Sequence, residues 1–324
     1  MVEFYSNMGK DIREMIELKI ATNFQESTYV ERSKSFDKFC SESFPNETVI
    51  TKTIALSWIK DALDNHTRNV AHSRIAYLRS LAQHQRAMGK DPYIPPNGML
   101  NGRTLFIPYI FSDEELKDLF REIDTYKRGT AFERMLFSTY FRLTYTCGLR
   151  PIEGRTLKRS DVDLNTGEIR IINSKWNRSR TIVMSDDMCD LARRFAKIRD
   201  LKYPESEYFF PTHDGGCYTA TQVQSRFKKS YELSRPDIPS ELLPAIRVYD
   251  LRHRFATAAL TRWLDQKIDL NARLAYLQTY MGHKEIASTA YYIHLLPENL
   301  KNSAGIDWKN LNTIIPEVES WEEK

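Results

Sequence analysis

Residues 248–294 hold an arginine, a histidine and a tyrosine whose spacing could serve a single reaction. Arg252 stands in the phrase Asp250-Leu251-Arg252-His253, within a helix-like run. His283 closes Met281-Gly282-His283, and Tyr292 lies nine residues beyond it. Such a set needs a partner, and the chain supplies one earlier. Arg150 follows a Gly148-Leu149 turn and precedes Pro151-Ile152-Glu153. A guanidinium is planar, always charged and forked, so it can donate to two phosphate oxygens together. Two arginines from distant parts of the chain could therefore clamp one phosphate from two sides. Breaking a phosphodiester without a metal needs a nucleophile, neutralisation of a phosphorane-like transition state, an acid for the departing oxygen, and positioning. The arginines suit the second of these tasks. Taken singly, the residues read more plainly: a salt-bridged arginine, a loop histidine, a pair of core tyrosines.

At these residues the chain resembles the tyrosine recombinases, also called the phage integrase family. Gly148 to Glu153, continued by Leu157 and Ser160-Asp161-Val162-Asp163, is close to that family's first-arginine block. Asp250-Leu251-Arg252-His253 with Phe255-Ala256-Thr257 resembles the second-arginine box, and Met281-Gly282-His283 the third block. The resemblance is close over residues 112–296 and loose over 24–90. It implies that Arg150 and Arg252 bind the scissile phosphate, with the Glu153 carboxylate orienting Arg150. It further implies that Lys175, in a hairpin turn, enters the minor groove and protonates the leaving 5′ oxygen. His283 would assist phosphate binding and proton transfer, and Tyr292, at the family spacing, would be the nucleophile while Tyr291 packs.

One position departs from the pattern. The family usually has histidine or lysine three residues before the second arginine, and this chain has Tyr249. A phenol can donate to a phosphate oxygen, but a pKa near 10 makes it a poor proton shuttle at neutral pH. Tyr249 is therefore expected to position only. His253, the helix neighbour of Arg252, points about 100° away from it and reads as a capping or core histidine.

The elements that must hold these residues follow from periodicity. Residues 1–22 read as a polar leader with one amphipathic helix (Ile12, Met15, Ile16, Lys19, Ile20). Residues 23–90 read as a helical module in three stretches. Thr28 to Phe44 buries Tyr29, Phe36, Phe39 and Cys40. Thr51 to Leu63 turns Ile54, Trp58, Ile59 and Leu63 inward, and Thr67 to Met88 does the same with Val70, Ile75, Leu78 and Leu81. Arg68, Arg74, Arg79 and Arg86 lie among the polar positions of the last stretch, either as a solvated face or as DNA contacts.

A Gly- and Pro-rich run, 91–110, reads as an interdomain linker. Residues 111–299 read as the second domain. Ser112 and Glu115 form a capping box, helices follow over Asp113 to Ile123 and Phe132 to Cys147, and Gly148 ends the second. Gly167 to Ile172 and Arg180 to Met184 alternate as a β-hairpin around a polar turn. Helices resume from Asp186 and again over Thr221 to Leu233, Asp250 to Leu264, Leu270 to Tyr280 and Ser288 to Leu295. Residues 300–324 form an acidic tail carrying Leu300, Ile306, Trp308, Leu311, Ile314, Ile315 and Trp321. The fold class is thus mainly α with a small antiparallel β-hairpin, in two domains. The resemblance implies a SAM-like core-binding domain and a catalytic domain closing as a C-shaped clamp on DNA, with the tail docking in trans.

The 324 residues carry a net charge of +4, compatible with a nucleic-acid partner without arguing for one. Basic residues gather near Arg178 and Arg180 and around Arg247, which join the expected DNA contacts. The four cysteines are far apart, which favours reduced thiols in a cytoplasm over disulfides or a zinc site. No apolar run reaches the length of a membrane span, and the N-terminus does not read as a signal peptide.

The implied reaction is attack of Tyr292 on a phosphate, giving a 3′-phosphotyrosyl link and a free 5′ hydroxyl. A 5′ hydroxyl of a partner duplex then reverses the step through a Holliday junction. Bond energy stays in the covalent link, so no cofactor, ATP or metal is implied. The implied partners are a double-stranded recombination site and further copies of the chain, a dimer on DNA and a homotetramer in synapsis. Accessory DNA-bending proteins or a partner recombinase would join them in a bacterial nucleoid. Integration and excision of a mobile element is the first reading. Chromosome-dimer resolution, a type IB topoisomerase-like strand relaxer and a cleavage-deficient DNA-binding regulator stand beside it.

Overall fold

The computed structural model describes residues 3–22, 26–102, 108–174 and 178–296, with the backbone alone at 26–28, 173, 174, 178 and 271. The chain divides into two compact units, with the break between residues 106 and 107.

The first unit is helical: α1 (Gly9–Ala21), α2 (Glu26–Ser43), α3 (Lys52–Asn65) and α4 (Arg68–Ala87). Its core gathers Phe36, Trp58 and Tyr77, whose ring centroids lie 4.8 to 5.7 Å apart. Edge and tilted packing of this kind suits the aromatic quadrupoles. Thr51 starts α3 by accepting a hydrogen bond from the Ile54 amide at 3.3 Å.

Three expectations are corrected here. Residues 3–22 are no detached leader, since Met8, Ile12 and Met15 are buried in the same core. Asp11 of α1 also accepts hydrogen bonds from Gln85 and Lys90, both at 2.7 Å. Leu63 and Val70, expected inward, are 43% and 36% exposed, because each sits at the edge of its helix's apolar stripe. The start of the expected linker is packed: Tyr93, Ile94, Met99 and Leu100 lie on this core, and the Tyr93 amide donates to the Ile50 carbonyl.

The second unit contains α5 (Asp113–Thr125), α6 (Ala131–Thr146), α7 (Pro151–Arg155), β1 (Glu168–Ser174) and β2 (Arg178–Val183). It continues with α8 (Asp186–Lys202), α9 (Ala220–Leu233), α10 (Val248–Asp265), α11 (Leu270–Met281) and α12 (Ala287–His294). Capping boxes at Ser112/Glu115 and Thr130/Glu133 start α5 and α6 by reciprocal side-chain and backbone bonds. The strands pair antiparallel, with Glu168 opposite Val183 and Ile171 opposite Arg180. Ile169, Ile171 and Ile182 face the core from this ribbon. The strands run longer than expected, β1 as far as Ser174 and β2 from Arg178. Mostly helical with one two-stranded antiparallel sheet, the fold class agrees with the expectation.

Two apolar clusters hold this unit. The larger packs α6, α8 and α9 through rings such as Phe141, Phe195, Phe210 and Phe227. The other joins α10, α11 and α12 through Leu260, Leu274, Leu277, Met281 and Ile293, and it includes Tyr292. Each such buried side chain contributes roughly 1.5–3 kcal/mol. That second cluster brings the two ends of the 248–294 stretch together.

Candidate active site

The site is built on two glycine turns. Gly148 leaves α6 with φ +58° and Gly282 leaves α11 with φ +66°, a left-handed conformation that costs glycine least. Each turn presents a carbonyl to an arginine belonging to the other part of the site. Arg252, on the first turns of α10, donates to the Gly148 carbonyl and to the Met281 carbonyl, both at 2.6 Å. Arg150, the residue before α7, donates to the Gly282 carbonyl at 2.7 Å. Both guanidiniums are buried, Arg252 completely. Burying such a charge is costly unless it is hydrogen-bonded, and the two turns supply acceptors. Nε of Arg252 is buried without a hydrogen-bond partner among the described residues.

Glu153, at the third position of α7, is the carboxylate of this group. Its side chain accepts from Arg150 Nη1 at 2.7 Å and from the Arg150 amide at 2.8 Å. It also accepts a bidentate pair from Arg180, both arms at 2.8 Å. Burial would raise this carboxyl, but the hydrogen bonds and charge of Arg180 and Arg150 outweigh it and hold the pKa down at about 2. The orienting carboxylate expected for Arg150 is therefore in place.

His283 follows Gly282. Its Nε2 lies 3.0 Å from Arg252 Nη2 and its Nδ1 lies 2.7 Å from Thr289 Oγ1. An arginine only donates, so Nε2 accepts and the ring proton sits on Nδ1, donated to Thr289. Burial and the charges of Arg252, Arg150 and Arg180 push this histidine down to about 3, leaving it neutral at pH 7.

Tyr292 sits on α12, 3% exposed, its ring 6.0 Å from that of His283 and nearly parallel to it. Burial pushes its phenol up to about 12, while the Arg252 guanidinium that its hydroxyl faces works against the rise. Tyr291 is half-buried, and its ring is tilted against Tyr292 at 6.3 Å. His253 also lies against Tyr292, 5.5 Å away and tilted, and Tyr249 lies 4.9 Å from His253. Tyr249, His253, Tyr292 and His283 thus form one run of rings. Burial, Arg247 and Arg252 lower His253 to about 4, and its Nδ1 is buried without a hydrogen-bond partner among the described residues. The expected turn away from Arg252 is correct, but that direction is toward Tyr292.

Arg150, Glu153, Tyr249, Arg252, His283 and Tyr292 are therefore brought together. Lys175 and the Arg178 side chain lie outside the described residues. The other expected DNA contacts differ among themselves. Arg86 is exposed, while Arg68 and Arg79 donate to the Asn101 and Pro95 carbonyls of their own unit. Arg247 donates to Asp250 at 3.1 Å. Arg74 is corrected: it is buried, donates to Asp61 and the Trp58 carbonyl, and lies over the Trp58 ring. Arg180 is corrected too, its fork turned onto Glu153 rather than outward. Thr289 and the site role of His253 went unread, because both depend on how α12 approaches α10.

The phage integrase family profile matches residues 110–299, more than half of the chain. Among relatives, y4rB of Sinorhizobium fredii, whose name classes it with the integrases and recombinases, is 28% identical over 92% of this chain and 96% of its own length. Tyrosine recombinase XerC of Proteus mirabilis is 26% identical, covering 68% of this chain and 66% of its own. Among solved structures, XerH site-specific recombinase bound to palindromic difH substrate superposes with a TM-score of 0.64 at 18% identity, over 88% of this chain and 80% of its own. The Tn1549 transposon integrase in complex with transposon right-end DNA gives 0.64 at 15%, over 87% and 94%. A lambda integrase tetramer bound to a Holliday junction gives 0.61 at 12%, over 87% and 76%. At these identities the superpositions speak for the fold alone.

Proposed function

This chain belongs to the phage integrase family, the tyrosine recombinases, and on that premise we propose that it is a site-specific DNA recombinase working through a 3′-phosphotyrosyl intermediate. Family membership implies cleavage and rejoining of DNA. One observation carries the assignment to this chain's own residues: Tyr292 is buried beside Arg252, whose guanidinium shares His283 and reaches across the Gly148 turn toward Arg150.

Arg150 and Arg252 hold two oxygens of the scissile phosphate and spread the charge of the phosphorane. Tyr292 Oη attacks phosphorus, an O–P bond forms to the 3′ side, and the P–O5′ bond breaks. The phenol is neutral at pH 7, so its proton passes to His283 Nε2 as the bond forms. The guanidiniums and their fixed carbonyl supports lower the cost of the charge that results. His283 is neutral before DNA arrives; a phosphate in the site draws Arg252 Nη2 to itself and frees His283 Nε2 to share a proton. Lys175 is assigned to the departing 5′ oxygen. A 5′ hydroxyl from a second duplex attacks the phosphotyrosine and reverses the step.

Strand exchange between duplexes requires more than one copy of the chain, and the lambda integrase tetramer on a Holliday junction is the relevant parallel. Mobile-element DNA is the preferred substrate, a reading supported by the integrase/recombinase name of y4rB, which is matched over 96% of its length. The test is a nicked suicide duplex carrying the element's end. Wild type should form a covalent protein–DNA adduct, Tyr292→Phe none, and Tyr291→Phe about as much as wild type. An adduct that survives in Tyr292→Phe and vanishes in Tyr291→Phe would overturn the nucleophile.

A further inference from the structure

Arg180 of β2 donates with all of its nitrogens. Nη1 and Nη2 hold the two oxygens of Glu153 at 2.8 Å each, and Nε holds the Tyr280 carbonyl at 2.8 Å. Its side chain is 9% exposed and that of Glu153 is 4%. The same carboxylate receives Arg150, through Nη1 and through the backbone amide. A Cβ placed on Gly282 would meet Arg180 Nη1 at 3.1 Å and Cδ at 3.2 Å, so the turn before His283 is packed directly on this side chain. Resting on the recombinase reading above, the geometry points to Arg180 as a positioning residue that fastens the β1–β2 hairpin to both halves of the phosphate site.

The fork is what makes the link. One guanidinium edge matches one carboxylate in two parallel bonds, leaving the third donor for a carbonyl on α11. β2 begins at Arg178, so Arg180 lies two residues into the strand, opposite Ile171 of β1, and its fork ties this ribbon to α7 and α11. Through Glu153 it sets Arg150, and through Tyr280 and Gly282 it sets the backbone carrying His283. A displaced hairpin would therefore disturb the phosphate clamp as well. Turning Arg180 outward onto DNA would strand a buried carboxylate, which argues against the phosphate contact expected from its place in a basic run.

The charged groups facing Glu153 are Arg150 at the start of α7, Arg180 on β2 and Arg252 on α10; His283, next to all three, is uncharged at neutral pH. Removing the Arg180 fork takes away the largest influence holding the carboxyl down. Its pKa then moves up toward the ordinary carboxylate range, and a protonated Glu153 no longer accepts both bonds from Arg150.

The experiment is single-turnover cleavage of the nicked duplex by saturating full-length protein, as a function of pH, with duplex affinity measured in parallel. Arg180→Lys keeps the charge but not the fork. It should cleave about tenfold to a hundredfold more slowly, bind duplex as wild type does, and show its acid limb at higher pH. Glu153→Gln and Glu153→Gln/Arg180→Gln should cleave within about threefold of each other, since without the carboxylate Arg180 keeps only its Tyr280 and Gly282 contacts. Wild-type rate and pH profile in Arg180→Lys would overturn the inference. So would weakened duplex binding with an unchanged saturated rate, or a double variant about tenfold or more slower than Glu153→Gln alone, the mark of independent effects. Circular dichroism identifies a variant that fails to fold; if Arg180→Lys does so, the charge-balanced double variant decides the matter. No adduct from wild-type protein would sink the recombinase reading itself, and this inference with it.

Discussion

Tyr292 packs against two histidine rings, one nearly parallel and one tilted, and that difference separates what its neighbours contribute. His283 lies nearly parallel at 6.0 Å and is tied down by Arg252 and Thr289. His253 stands at 5.5 Å, tilted to the Tyr292 ring and wedged against Tyr249. Tyr249 thus has a use that does not depend on proton transfer: it backs the wedge. His253→Ala should open space beside the nucleophile and slow adduct formation by about tenfold or more, with duplex affinity unchanged. His253→Phe refills the space without ring nitrogens. Recovery of the rate in His253→Phe marks a packing role; a rate as low as that of His253→Ala marks a need for Nδ1, which is buried without a hydrogen-bond partner among the described residues. The sequence made Arg252, His283 and Tyr292 readable because each lies in a short contiguous phrase. The role of His253 was hidden, since the ring it touches arrives from a helix some forty positions later.

The elements were legible where local chemistry decides them. Ser112 and Glu115 mark the start of α5 by a capping box that needs no tertiary help, and the helices of the 248–294 stretch begin and end within two residues of their periodic pattern. What could not be read is where a helix docks. α1 is weakly amphipathic in sequence yet supplies Met8, Ile12 and Met15 to the first core, and Arg180 falls in a basic run yet points inward. Neither fact is encoded in spacing. The Gly148 turn lies between these cases. A glycine ending α6 was foreseen, but the reason for glycine is tertiary as well as local. Its φ is +58°, and a Cβ there would overlap the Phe255 ring of α10. Gly148→Ala should therefore lower stability by about 1–3 kcal/mol through strain and overpacking. Because the Gly148 carbonyl receives Arg252, cleavage should fall further than the loss of folded protein explains. Thermal melting beside single-turnover cleavage of the folded fraction measures both; a normal melt with normal cleavage would refute the account.

Across the molecule the site makes the second unit sensitive to acid, and the sign is the same for His253, His283 and Glu153. His253 and His283 are lowered from an ordinary 6.5 to about 4 and about 3 by burial and by neighbouring arginines. Between those values and 6.5 the unfolded chain binds protons that the folded chain does not, so stability falls as pH drops from 6.5 toward 4. Glu153, lowered from 4.5 to about 2, stabilises above its unfolded value and adds a further loss as pH falls from about 4.5 toward 2. Melting of the second unit should thus drop on acidification from pH 6.5, by about 2–4 °C for each kcal/mol lost. His253→Phe should flatten the part of the slope between 6.5 and 4, whereas Glu153→Gln should flatten only the part below it. Duplex DNA should work against the acid loss. A phosphate beside Arg150 and Arg252 offsets the positive charge that keeps His283 neutral, letting it take a proton in the folded state. Melting followed from pH 7 to 4, with and without duplex, checks this. A melting temperature constant down to pH 4.5, or an acid slope equally steep with DNA bound, would mean that these side chains do not share one positively charged pocket.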